Sequence, residues 1–485
     1  MVFENTKLVF SKTVNGYYVP EFSVEGLPRC EKKVEYLQQS ILSNEPYPRM
    51  YKIKLLGLII LSCGTIGGIG LSGSRLSCST VGAQAVVTKK AEAKPIVPTK
   101  DETVVIGIRE IDTLHEKRLS LEGKKINISV GAHHLTDEEV DVLCTLPNVQ
   151  SVTIYGIFSS DEAIMKLTRL PDLRELHFLC GHSAITDAGV QMLVSFKKLE
   201  SLTLAGNFSE DGYTCLGELG KLRELNLCFN TPVVTEKELV FLEKLSDLRK
   251  LSLATGPCKT ADTDAGSTLS QMPDAVLSQL QDLNNLEKLT INCDSFTGSG
   301  LSHLSKLKSL RQLTLWSHNN LTASVIAYLE DLPQITELKI SIRSFDDTGM
   351  ASLGKMTNLR TLELTYAHNV TDAGLSQLRN LQELEDLTIN SNSITGSDLS
   401  SLARLKSLRR FELASEKLTA SGICHLKNLP QLTDLKIQSG SLSDAEVEPL
   451  KTLRCLKFLD ISRTSVTKKG VDSLQRALPN CQIKR

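Results

Sequence analysis

His133 and His134 stand close to Asp137, Glu138 and Glu139, the densest gathering of metal-binding and acid–base side chains in the sequence. Imidazoles and carboxylates together can hold a divalent metal or move a proton. This group lacks a fixed ligand spacing and sits where a segment headed by Thr136 turns from strand to helix. The 12 cysteines form no Cys-x-x-Cys pair, so the usual signature of zinc and thiol redox centres is missing. Cys144, Cys215, Cys424 and Cys455 read as small helix or core residues. Pairs such as Thr186-Asp187, Thr371-Asp372 and Ser443-Asp444 resemble acid sites at first sight. Capping explains them better: the hydroxyl accepts from a free backbone N–H, and the Asp suits the positive end of a helix. No nucleophile–base arrangement emerges, so the chain reads as non-enzymatic, with no cofactor and no metal.

The elements that carry these pairs repeat. Leu-x-x-Leu-x-Leu occurs at Leu173, Leu176 and Phe178, at Leu310, Leu313 and Leu315, at Leu359, Leu362 and Leu364, and onward to Leu456, Leu459 and Ile461. The step is about 24 residues. Within a unit, Leu362 and Leu364 alternate with Glu363 and Thr365, the period of a half-buried strand. Thr371 then opens Asp372-Ala373-Gly374-Leu375, with Leu378 and Leu381 following, which predicts an amphipathic helix. Gly189 and Gly374 are poor helix residues, and their expected use is close approach of neighbouring backbones. Thr235, Thr322, Thr395, Thr419 and Thr467 open the corresponding segments elsewhere.

This unit resembles bacterial leucine-rich repeat proteins with helical Thr-Asp-Ala-Gly-Leu repeats, and more distantly the repeats of F-box-type substrate receptors. The resemblance covers residues 105–485. It implies an α/β solenoid with parallel strands on the concave face and helices on the convex face. The partner it implies is a protein or peptide bound on the concave face. The F-box relatives imply a second role, an adaptor presenting a bound protein to a ubiquitin ligase or another enzyme. The Cys which those relatives keep after the strand is irregular here.

Composition agrees with a binding scaffold. The 55 basic and 56 acidic residues leave a net charge of -1, so no global field attracts nucleic acid. Four regions separate: a poorly structured segment at 1–49, an apolar segment at 50–85, a polar linker at 86–104, and the repeats at 105–485. From Leu248 to Leu286 the step lengthens to 38 residues, which predicts an inserted loop near 255–272. Residues 55–74 carry no charge and follow Arg49, Lys52 and Lys54. Three readings stay open for them: an export signal, an uncleaved membrane anchor, and an apolar stretch of a cytoplasmic protein. Translation from Met50 would make the segment an export signal, and Ile60-Leu61-Ser62-Cys63 resembles a lipobox with Cys63 as the lipidated residue. Membrane association through residues 53–74, in an exported or anchored protein, is the expectation.

The concave face should expose residues between and just after the Leu positions. Trp316, the single Trp of the sequence, falls there. Ile342 and Tyr366 fall close by in the next two repeats, with Phe229 at one flank. These four form the expected partner-binding centre, because exposed aromatic side chains are enriched at hot spots.

Overall fold

The computed structural model describes residues 9–14, 17–21, 103–107, 125–130, 137–154, 161–178, 185–231, 233–255, 271–293 and 298–485. The chain divides into two units, Met1–Lys94 and Pro95–Arg485. In the first, β1 (Val9–Val14) pairs antiparallel with β2 (Tyr17–Glu21), a hairpin not anticipated in the region read as poorly structured. The apolar segment, Cys63, nearly all of the 86–104 linker, His133, His134 and most of the insertion lie outside the described residues. No helix among the described residues is long and apolar enough to cross a membrane.

Among the described residues the second unit holds one open sheet of 16 strands, from β3 (Thr103–Gly107) to β18 (Gln482–Lys484), ordered in space as in sequence. Every pairing is parallel and joins like positions of successive units. Leu313 lies beside Leu338, Leu338 beside Leu362, and Leu362 beside Leu387. The alternating Leu and Ile side chains therefore stack into columns, and Leu338, Leu362, Leu364, Leu387 and Ile389 are all buried. After the insertion, Gln271 forms an isolated parallel bridge with Val233, and its carbonyl accepts from the N–H of Val234 at 2.9 Å.

The side opposite the sheet is less helical than the apolar spacing predicts. It is made of short α-helices such as Asp187–Met192, Asp347–Leu353 and Asp372–Gln377, and of 3-10 helices such as Ser299–Lys306 and Leu399–Arg404. Asp372–Gln377 itself tightens into a 3-10 turn at Leu378–Asn380. The physical reason is in the spacing. Leu375, Leu378 and Leu381 recur every three residues, the period of a 3-10 helix rather than the α-helical 3.6.

Capping by Thr holds at Thr186, Thr371, Thr419 and Thr467, each accepting from a backbone N–H in the first turn. Thr322 makes no such bond and shares its hydroxyl with Ser324 at 2.6 Å. Thr235 and Ser443 turn to Glu238 and Glu446 three residues on, half of a capping box.

The first-turn Asp does more than face a helix dipole. Asp161 accepts from the N–H and the hydroxyl of Thr186, at 2.9 and 2.6 Å. Asp347 does the same for Thr371, at 2.8 and 2.6 Å, and Asp444 for Thr467, at 2.7 and 2.6 Å. Each carboxylate thus clamps the cap of the following repeat. The motif Gly leaves room for it. A Cβ on Gly189 would lie 2.1 Å from Asp161 Oδ1, and one on Gly374 would lie 2.2 Å from Asp347 Oδ1. The close approach expected at these two glycines is therefore to a carboxylate of the preceding repeat, not to its backbone.

Asp372 is the best-held member of this series. It accepts from Thr395 N–H and hydroxyl, at 3.0 and 2.6 Å, and from Gly396 N–H at 2.8 Å. Burial opposes its ionisation, but these bonds outweigh burial and hold the carboxyl below its ordinary range. A depressed carboxyl contributes stability above its unfolded value, about 3.9, and that stability is lost as pH falls through the folded value. The thermal midpoint is therefore expected to drop below about pH 4, with a shallower drop in Asp372→Asn. Superimposable acid profiles for the two proteins would remove this clamp as a cause.

Candidate binding face

The open face of the sheet is built from the residues between the buried columns. The charge of its mid-strand row is internally matched. Lys339 meets Glu363 at 3.1 Å, Lys436 meets Glu412 at 2.6 Å, and Lys484 meets Asp460 at 3.0 Å. At the strand starts, Lys250 meets Glu224 at 3.1 Å and Arg410 meets Asp386 at 2.8 Å. Apart from the Lys484 pair, whose Asp460 is buried, these are exposed pairs that contribute little to stability, but they leave few uncommitted charges on the face.

The next row is uncharged from β10 (Lys288–Asn292) to β16 (Asp434–Ser439). Asn292, Trp316, Ser341 and Thr365 are successive partners across the ladder, and Asn390, Ala414 and Gln438 continue the row. Trp316 stands in it 48% exposed, while the flanking Ser341 and Thr314 are small and largely covered. A large ring on a floor of small polar side chains is accessible from solvent over much of its surface.

The four expected partner-binding residues separate here. Trp316 and Tyr366 are each 48% exposed, whereas Ile342 and Phe229 are only 1% and 0% exposed. Ile342 and Phe229 are core residues, which corrects the sequence reading. The reason is strand alternation: Leu338, Ile340 and Ile342 share one face, as do Leu225, Leu227 and Phe229. The Phe229 ring packs 5.2 Å from that of Tyr213, which in turn lies 5.5 Å from Phe208.

By the same alternation Tyr366 should follow Leu362 and Leu364 inward. It escapes because its φ is 57°, in the left-handed region, and Ala367 takes the buried place instead. A non-glycine residue pays about 1–2 kcal/mol for this conformation. His368 meets Tyr366 edge-on, with ring centres 6.1 Å apart. Beside the two exposed rings, the buried Ser317 Oγ and His368 Nδ1 have no hydrogen-bond partner.

At the N-terminal end of the face, His177 Nδ1 lies 2.9 Å from Thr203 Oγ1, which also accepts from Asn226 at 3.2 Å. Burial pushes the His177 imidazole below its ordinary pKa, against the pull of Glu175 and Glu224. This is a polar cross-strand chain rather than a catalytic pair. Among the described residues no group of three His, Cys, Asp or Glu side chains gathers to hold a metal. Cys215 donates to Gly212 O at 3.0 Å, and burial pushes its pKa up to about 11. Cys455 is exposed, contrary to its reading as a helix or core residue.

Parallel strands stacked in sequence order, Leu columns behind them and short helices on the far side define a leucine-rich repeat solenoid. A family model described as a leucine-rich repeat region matches residues 324–483. The chain is similar to many solved structures, among them the following three. An internalin from Listeria monocytogenes is 19% identical over 75% of this chain and 78% of that one, with a TM-score of 0.33. A leucine-rich repeat protein of Leptospira interrogans is 15% identical over 75% and 91%, with a TM-score of 0.41. The plant peptide hormone receptor RGFR1, in complex with RGF2, is 16% identical over 75% and 58%, with a TM-score of 0.35. No curated protein matches the sequence.

Proposed function

We propose that the unit Pro95–Arg485 is a non-enzymatic interaction module that holds a protein or peptide on the open face of its sheet. The observation that carries this reading is the pair of half-exposed aromatic side chains, Trp316 and Tyr366, on a face whose other charges and polar groups are largely engaged. An aromatic ring held away from the core at the cost of a left-handed backbone is not explained by stability. Partner contact supplies a reason for it.

The test begins with a partner recovered on the immobilised chain and identified, whose affinity is then measured by titration. Trp316→Ala is expected to weaken that affinity by about 2 kcal/mol, roughly 30-fold, with the thermal midpoint unchanged. Equal affinity in a correctly folded variant would reject the face as the binding surface.

A further inference from the structure

We infer that the occupant of this face is an extended acidic peptide, with two apolar side chains three residues apart on Trp316 and Tyr366 and a carboxylate between them on Arg343. The inference rests on the interaction-module reading above and supplies the chemistry of its partner.

Arg343 lies on β12 (Glu337–Ser344), between β11 (Gln312–Thr322), which carries Trp316, and β13 (Thr361–Thr365), which precedes Tyr366. It shares the open face with Lys339 and Ser341 and is exposed. Lys339 is committed to Glu337 and Glu363, whereas Arg343 has no carboxylate partner among the described residues. The carboxylates that follow it are engaged elsewhere, Asp346 with Thr348 and Asp347 with Thr371. An uncommitted guanidinium thus lies on the strand between those that lead to the two exposed rings, two residues past Ser341, the partner of Trp316, and its complement is a carboxylate, which a planar fork can grip through two bonds. Trp, Tyr and Arg are the residue types most enriched at binding hot spots.

The spacing selects the conformation. Trp316, Ser341 and Thr365 are in register and Tyr366 follows Thr365, so the backbone positions that carry the two rings are separated by about two strand spacings, roughly 10 Å. A polyproline II segment rises 3.1 Å per residue with three residues per turn, so positions i and i+3 face the same way about 9 Å apart. A β-strand returns to one face every second residue, at about 7 Å or 14 Å, a poorer match to that spacing. A bound helix would require a continuous apolar groove, and the floor here is Ser341 and Thr365. Polyproline II leaves its carbonyls unpaired, and the indole N–H of Trp316 is a donor for them.

The single Trp makes the full-length chain its own reporter. It would be titrated by fluorescence with blocked peptides containing Pro-Glu-Ala-Pro, and with versions carrying Gln or Lys in place of Glu. The Glu peptide is expected to shift the emission and to bind at least about tenfold more tightly than the Gln peptide. Arg343→Gln should abolish that preference, and Tyr366→Ala should weaken both peptides. A Glu peptide that is silent up to millimolar concentration, equal affinities, tightest binding by Lys, or a preference that survives Arg343→Gln each overturns the inference. Failure of the wider reading looks different: there, Trp316→Ala leaves the identified partner's affinity untouched. If the peptide assignment alone is wrong, that variant still loses its partner.

Discussion

Phe229→Ala is expected to destabilise the repeat unit by about 3–5 kcal/mol, the cost of removing a fully buried aromatic ring. The side chain is 0% exposed and ends the inward series Leu225, Leu227 and Phe229. Its ring packs on Tyr213, itself 1% exposed, so truncation opens a cavity lined by rings that cannot easily collapse into it. Phe229→Leu keeps most of the volume and should cost less. Urea denaturation followed by circular dichroism measures both. The result also decides between two roles for one residue. A surface contact would leave stability unchanged and lose affinity, whereas a core residue loses stability first. A Phe229→Ala protein as stable as the parent would return Phe229 to the binding face.

Gly374→Ala should cost about 2–3 kcal/mol, although alanine in an ordinary helix is worth about 1 kcal/mol more than glycine. The added Cβ would sit 2.2 Å from Asp347 Oδ1. The carboxylate must then move, and the N–H and hydroxyl of Thr371 lose a charged acceptor. Hydrogen bonds to charged groups are worth about 1.5–3 kcal/mol each, which outweighs the propensity gain. The decisive comparison is a double-mutant cycle. With Asp347→Ala already in place the severe clash is gone, leaving Met350 Cγ at 3.1 Å as the tightest remaining neighbour, and Gly374→Ala should become close to neutral. Strictly additive costs would show that the glycine serves some other neighbour.

The strands, their parallel stacking and the buried columns were legible in the sequence because one period of two, repeated at a constant step, writes each of them several times. The Thr caps were legible for the same reason. What escaped detection depended on neighbours or on a single backbone angle. Alternation alone would have sent Ile342 and Phe229 inward, and counting them as surface residues carried the face one residue past its row. Tyr366 sits at the same step as Ile342 and faces out only because of its left-handed φ, which no side-chain pattern encodes. The Asp–Thr clamp joins residues 23 to 25 positions apart, visible only once the repeats are stacked. Arg343 was missed because its distinction is the lack of a partner.

The clamp also bears on how such a chain can grow. Its three parts are split across a boundary: the Asp belongs to one repeat, and the Thr and Gly that receive it belong to the next. A repeat holding all three, as Thr371, Asp372 and Gly374 do, matches a copy of itself at both edges. Tandem duplication of that stretch of coding sequence would therefore insert a unit that fits its neighbours at once. A repeat such as the one headed by Thr322, which lacks the cap bond, has no such licence to be copied.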